Sequence, residues 1–322
     1  MSVALADLHR RLTVPSSPAD RVFKVLVAAA GLLVLVILAA IAVSTVTEAW
    51  PVFDKAGLSF LTSSDWDPSS GRYGALALIY GTFVVSAISV VVAVPVSIGI
   101  ALFLTEIAPK RMRRWMVTVL DLLAAVPSVV LGLWAFLTLR PGLRGAYNAI
   151  AGAVADIPVL RSVFGPSLSG LSFMTAGLMV GLMITPIITS ITREVFATVP
   201  GNDKAGALAL GATRWEMIRG VVLPHSTSGL VGAVMLGLGR AMGETIVIAL
   251  VIGASPAISA NLFGPGEAMP AKIARSLNES TGIDAAALIG LGVVLFVLTI
   301  AVNMAARGLV ATLNRRSQGG RP

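Results

Sequence analysis

The run "VLVAAAGLLVLVILAAIAV", residues 25–43, carries no charged or hydrogen-bonding side chain. It offers water no stripe at helical spacing. At roughly 1.5 Å per residue, helical segments of about 20 apolar residues cross about 30 Å of hydrocarbon. The apolar segment is taken as 25–46, and five others follow at 75–105, 115–139, 171–191, 226–253 and 285–306. Hydrocarbon leaves no water for backbone amides, so segments of this length must close their hydrogen bonds internally, as helices. The expectation is an all-α integral membrane protein with six transmembrane helices. The first segment sits where a signal peptide would, but its apolar run is too long and no small-residue cleavage motif follows, so it is read as a span. Composition agrees: 56% of residues are hydrophobic and 12% charged, whereas soluble domains carry about 25% charged residues. Pro95 predicts a kink in the second span or a helix that runs beyond the membrane.

Six spans put both termini on one side. Sixteen Lys and Arg residues fall on that side, in 1–24, 110–114, 193–219 and 307–321, and seven on the other. This asymmetry predicts cytoplasmic N and C termini and makes the net charge of +8 a membrane-orientation signal, with no nucleic acid as partner. The other loops, about 47–74, 140–170 and 254–284, hold "SSDWDPSSGRYG", "RPGLRG" and "ASPAISANLFGPGEAMP", which read as turns and irregular surface. The organisation is then a tail at 1–24, a six-helix membrane bundle at 25–306 and a tail at 307–322. With no cysteine and two histidines, thiolate and histidine metal sites are not expected. No G-x-x-x-x-G-K-[ST] loop is present, so ATP, if used, belongs to another subunit.

The cytoplasmic loop 193–224, "REVFATVPGNDKAGALALGATRWEMIRGVVLP", has more order than a linker. Asn202 or Asp203 can cap a helix over "KAGALAL", and Gly211 fits the C′ position. Thr213 and Glu216 match a capping box, and Pro224 is expected to stop that helix before span five. Trp215, Met217 and Ile218 are costly to leave in water, so the knob docks on a partner, or it lies on the membrane surface or against its own spans.

Span five holds Arg240 and Glu244, one helical turn apart on the same face. A charge at the bilayer centre costs about 2.5–3.5 kcal/mol on insertion scales. One reading is a self-neutralising pair that pins span five to a neighbour, helped by Gly239 and Gly243 in G-x-x-x-G. The other is a translocation route on which a guanidinium meets an oxyanion and Glu244 keeps the site weak enough to release it. Asp121 in span three reads as a helix-end acid near Arg113 or Arg114. Pro127–Ser128 and Thr185–Pro186 mark irregular points in spans three and four.

These residues carry a resemblance. "AGALALGATRWEMIRGVVLP" resembles the EAA loop of ABC-importer permeases, E-A-A-x₃-G-x₉-I-x-L-P. Ala205, Gly206 and Ala207 take the first three places, Gly211 the glycine, Val221 the isoleucine, and Leu223 and Pro224 the ending. Ala205 stands where that family has glutamate. "FLTSSDWDP", "LLAAVPSVVLGLWA" and "GLGRAMGETIVIALVIGASP" are similar to the phosphate-importer permeases of the PstC family. The resemblance implies a type I ABC-importer permease fold with its core at 75–306. It also implies ATPase contact through Ala205–Ala207, Gly211, Arg214–Ile218 and Leu223–Pro224, and a route through Arg240, Glu244 and Thr245. The implied partners are a second permease PstA, a PstB ATPase dimer and the phosphate receptor PstS, in the lipid of a bacterial inner membrane. ATP and magnesium would lie in the ATPase, with no cofactor and no catalysis in this chain. Sulfate or molybdate permease, stand-alone secondary transporter and phosphate-sensing subunit remain as alternatives.

Overall fold

In the computed structural model, residues 18–318 are described. Arg10, Arg11 and Arg321, counted in the orientation argument, lie outside them. The chain divides into two compact units after Glu48. Helix α1, Pro18–Ala56, runs through that boundary. In the first unit α1 is apolar on all sides, with Leu26, Leu33, Leu35 and Ile37 all exposed. A helix of this kind is a membrane segment rather than a water-facing one.

The second unit begins with the end of α1 and a short α2, Ser59–Thr62. A two-stranded antiparallel hairpin follows, β1 Trp66–Asp67 and β2 Arg72–Tyr73. Its turn is held by Asp67, whose carboxylate accepts from the Ser69 amide and from the hydroxyls of Ser69 and Ser70. Helix α3, Leu76–Leu102, passes through Pro95 and ends in a π-turn, Phe103–Ile107. It packs lengthwise on α8, Phe173–Ala197. Gly177 allows that approach: a Cβ there would lie 2.4 Å from Ile88 Cγ2, and small residues let helix backbones close up in this way. Val85, Val180, Ile184 and Ile188 fill the seam.

The third apolar segment is not one straight span. Helix α4, Lys110–Ala125, meets the helical run Ser128–Ala153 at 89°. That run comprises α5, Ser128–Trp134, a π-turn Ala135–Leu139, and α6, Arg140–Ala153. Val126 and Pro127 are extended at the corner, and Pro127 has no N–H with which to continue the ladder. Among the described residues there are therefore five unbroken helices of spanning length, or six spans if the bent pair counts as one. The loop expected at 140–170 is largely helical, in α6 and α7, Pro158–Val163; Pro141 lies within the run, just after the π-turn 135–139, which re-routes the bonds that proline would break. The break expected at Thr185–Pro186 is absent, since α8 is continuous there. Ser97 donates to the Thr185 carbonyl at 3.1 Å and Thr185 Oγ1 to the Gly181 carbonyl at 2.7 Å. Asp121 lies beside Arg193 and Thr189 in a small cavity, two helical turns from Arg113.

Beyond α8 come α9, Gly201–Ala209, and α10, Arg214–Met217, then a π-turn Ile218–Val222 and α11, Leu223–Gly243. Short α12, Ile246–Val251, α13, Met269–Ser276, and the long α14, Gly282–Gln318, complete the fold. At the hairpin end, Phe60, Tyr73, Leu78, Met269 and Leu291 form a second core, and Tyr73 donates to Asp284. Arg275 joins the buried Glu267 carboxylate to the Ala249 carbonyl, the latter at 2.8 Å, which ties the 254–268 segment to α12.

Candidate functional site: a coupling knob and a charged groove

The knob forms by local rules. Helix α9 ends in a Schellman motif: the Gly211 amide donates to Leu208 O at 3.0 Å and the Ala212 amide to Ala207 O at 3.2 Å. Gly211 has φ +88°, a conformation glycine adopts without a Cβ penalty. Thr213 and Glu216 make a complete capping box. The expected N-cap is corrected. Pro200 occupies that position with no side-chain cap, and Asp203 instead lies in the first turn of α9, where its charge suits the helix dipole.

Pro224 does not stop the helix. Arg214–Gly243 is one helix of 30 residues, with Pro224 about three turns in and the π-turn at 218–222 just before it. The i→i+5 pattern re-routes the bonds that proline would break. Met217 and Ile218 are buried against Ala101, Phe196, Val199 and Val222 of the same chain, while Ala207 and Leu223 are half-buried beside them. Trp215 remains 62% exposed and Leu210 91% exposed. Ala205, Gly206, Gly211, Arg214, Glu216 and Pro224 are exposed too. The knob thus has one face sealed on its own helices and one apolar face that no described residue covers.

Arg240 and Glu244 do not lie on one continuous helix. Helix α11 ends at Gly243, and Glu244 is extended at φ −67°, ψ 129°. Thr245 Oγ1 donates to the Gly243 carbonyl at 3.1 Å, taking the place of a ladder amide. The break follows from glycine and threonine, both weaker helix formers than the alanine and leucine around them. Among the described residues no ion pair joins the two charges. Arg240 is exposed and Glu244 buried.

Both line a groove of about 1130 Å³ between α11 and α14, together with Gly239, Gly243, Asn303 and Arg307. A Cβ built at Gly239 or Gly243 would meet no other helix within 4 Å among the described residues, so the G-x-x-x-G surface faces open groove. Arg240 also sits in the last turn of α11, where a cation complements the helix dipole. The groove brings together two guanidinium groups, one amide and, at the break, one carboxylate, donors of the kind that can meet an oxyanion. Asn303 and Arg307 were not singled out in the sequence. Their signal was present: Ile300, Asn303, Met304 and Arg307 recur at i, i+3, i+4 and i+7 on one face.

Residues 93–318 match the family model described as binding-protein-dependent transport system inner membrane component. The phosphate transport system permease protein PstC of Mesorhizobium japonicum is 40% identical over 300 residues, 92% of each chain. That of Xylella fastidiosa is 41% identical over 300 residues, again 92% of each. That of Haemophilus influenzae is 39% identical over 297 residues, 92% of this chain and 94% of that one. Among solved structures, a bacterial alginate ABC transporter in complex with an alginate pentasaccharide-bound periplasmic protein aligns with a TM-score of 0.62. It covers 92% of this chain and 97% of that one at 14% identity, a likeness of fold. Shared family, shared fold and an apolar helical bundle agree: the chain is an inner-membrane transport subunit rather than an enzyme, and it belongs to the family of binding-protein-dependent transport components that includes its PstC relatives.

Proposed function

We propose that this chain is one permease of an ATP-driven phosphate importer. The observation that carries the mechanism is the unbroken helix Arg214–Gly243, which joins the knob directly to the break where Arg240 and Glu244 meet the groove. Its relatives named for phosphate transport supply the substrate. A PstB-type ATPase dimer, holding ATP and magnesium, docks on the exposed face around Trp215 and Leu210. A PstA-type permease covers the groove of α11 and α14, and a PstS-type receptor delivers phosphate at the hairpin end. The termini and the knob are cytoplasmic. Closure of the ATPase displaces the knob, the continuous helix carries the displacement to Arg240, and the guanidinium meets phosphate oxygens transiently on the way through.

The test is phosphate uptake into liposomes that contain this chain with its partner permease, ATPase and receptor. Arg240→Ala is expected to abolish uptake while the complex assembles and receptor-stimulated ATP hydrolysis persists. Undiminished uptake would remove Arg240 from the route. Import of sulfate or molybdate instead of phosphate by the native complex would keep the family and overturn the substrate.

A further inference from the structure

A helix C-terminus leaves its last carbonyls without ladder partners. The end of α3 meets that problem in an acute form, because Pro109 follows two residues after the π-turn Phe103–Ile107 and has no N–H to give. The Ala108 amide takes the Phe103 carbonyl at 2.8 Å. The other partners come from elsewhere in the chain. Arg113 Nη2 on α4 donates to Thr105 O at 3.0 Å. Arg214 Nη1 on α10 donates to Glu106 O at 3.2 Å. Lys204 Nζ on α9 lies 2.6 Å from Glu106 Oε1, with the two side chains only 19% and 8% exposed. Three cations, two of them from the knob, therefore converge on the negative end of one helix dipole.

The knob lacks a carboxylate at Ala205, where the loop pattern has one. Glu106 brings a carboxylate to α9 from the end of α3 instead, one residue upstream of that position. We infer that Glu106 is a positioning residue for energy coupling, paired with Lys204, and that it makes α3 a second output of the knob. The first output is covalent, through the 214–243 helix. The second is this ion pair, which locks α9 in register against the end of α3. The apolar contacts of Ala101, Phe196 and Met217 hold the surfaces together, but apolar contact is non-directional. The ion pair and the Arg214 bond resist sliding. Because α3 packs along the length of α8, displacement of its end moves the pair of helices that carries the main core.

This deepens the reading of the chain as an ATP-driven permease. The complete complex in nanodiscs is compared by amide exchange in nucleotide-free and ATP-vanadate-trapped states, following residues 98–109. That readout does not depend on the transported ion, so an error in the phosphate assignment is seen separately, in native uptake. The native complex is expected to change exchange in 98–109 on trapping. Lys204→Met and Glu106→Gln each shrink that change and lower phosphate moved per ATP by roughly tenfold, within the usual range of site-to-site coupling. The reversed pair, Lys204→Glu with Glu106→Lys, restores both. The inference is overturned if the single variants keep the native response, or if the reversed pair is as defective as they are.

Discussion

Gly81 of α3 is the point where the 254–268 segment presses hardest on the bundle. A methyl group there would lie 1.8 Å from the Glu267 carbonyl oxygen and 3.2 Å from Phe173 Cε1. The first contact is with backbone, so no rotamer change relieves it. Overpacking of this type costs about 1–3 kcal/mol. The segment must retreat from α3, which also strains the bond from the Met269 amide to Thr82 Oγ1, 3.0 Å long and worth about 1 kcal/mol net. Alanine recovers up to about 1 kcal/mol of helix propensity over glycine. Gly81→Ala is therefore expected to destabilise by about 1–3 kcal/mol, concentrated where Arg275 ties Glu267 to Ala249. A Cβ built at Gly99 on the same helix would meet nothing within 4 Å, so Gly99→Ala serves as the matched control and should be neutral or stabilising by up to about 1 kcal/mol. Thermal unfolding in detergent measures the sum, and amide exchange across 254–268 locates it. Equal melting of the two variants, with native exchange in Gly81→Ala, would refute the reasoning.

Two further expectations concern the ends of the bundle. Trp215→Ala should leave the stability of the isolated chain unchanged, since the ring is 62% exposed, yet weaken ATPase binding by about 2 kcal/mol or more, as for a buried interface anchor; titration of the ATPase against the reconstituted permease reads this. At the hairpin, hydrogen bonds from Ser69 and Ser70 hold the Asp67 carboxyl down from its ordinary 3.8 to about 2. A depressed acid stabilises the fold above its unfolded value, so the hairpin should keep this contribution above pH 3.8 and lose it as pH falls towards about 2. In a variant whose only tryptophan is Trp66, fluorescence should show that transition, and Asp67→Asn should abolish it.

What the sequence disclosed follows from how far each signal reaches along the chain. The Gly211 stop and the Thr213–Glu216 box were readable because each is closed within a few residues. The six apolar segments were readable because solvent sets their length. The 89° corner was readable only as a weak point at Pro127, since its angle depends on what α5 packs against. The break after Gly243 was hidden inside a segment long enough to read as one span, and the spacing of Arg240 and Glu244 suggested a pair that the extended backbone at Glu244 undoes. Lys204 and Glu106 are 98 residues apart. The missing carboxylate at Ala205 was visible in the sequence, but not the residue that brings one to α9.

The length of the 214–243 helix explains why a break at its far end is useful. Its 30 residues make a rod of about 45 Å at 1.5 Å per residue, longer than the roughly 30 Å hydrocarbon core. The knob therefore stands clear of the membrane while Arg240 lies near the opposite end. A tilt of about 10° around the rod's middle would move each end by about 4 Å, on this same helical rise. Such a displacement is enough to open or close a guanidinium contact, and the extended Glu244 lets α12 stay behind with Arg275. The rod must be stiff for this to work. Leu236 is 58% exposed on α11 and lines the groove, so Leu236→Pro meets no core clash within this chain, while removing one ladder bond and kinking the helix at a cost of about 3 kcal/mol; assembly with the partner permease is verified alongside. The knob lies well before the kink and should dock and support ATP hydrolysis as before, whereas phosphate moved per ATP should fall. Native transport efficiency in Leu236→Pro would show that the displacement reaches Arg240 by another path, and that the continuous helix is architecture rather than lever.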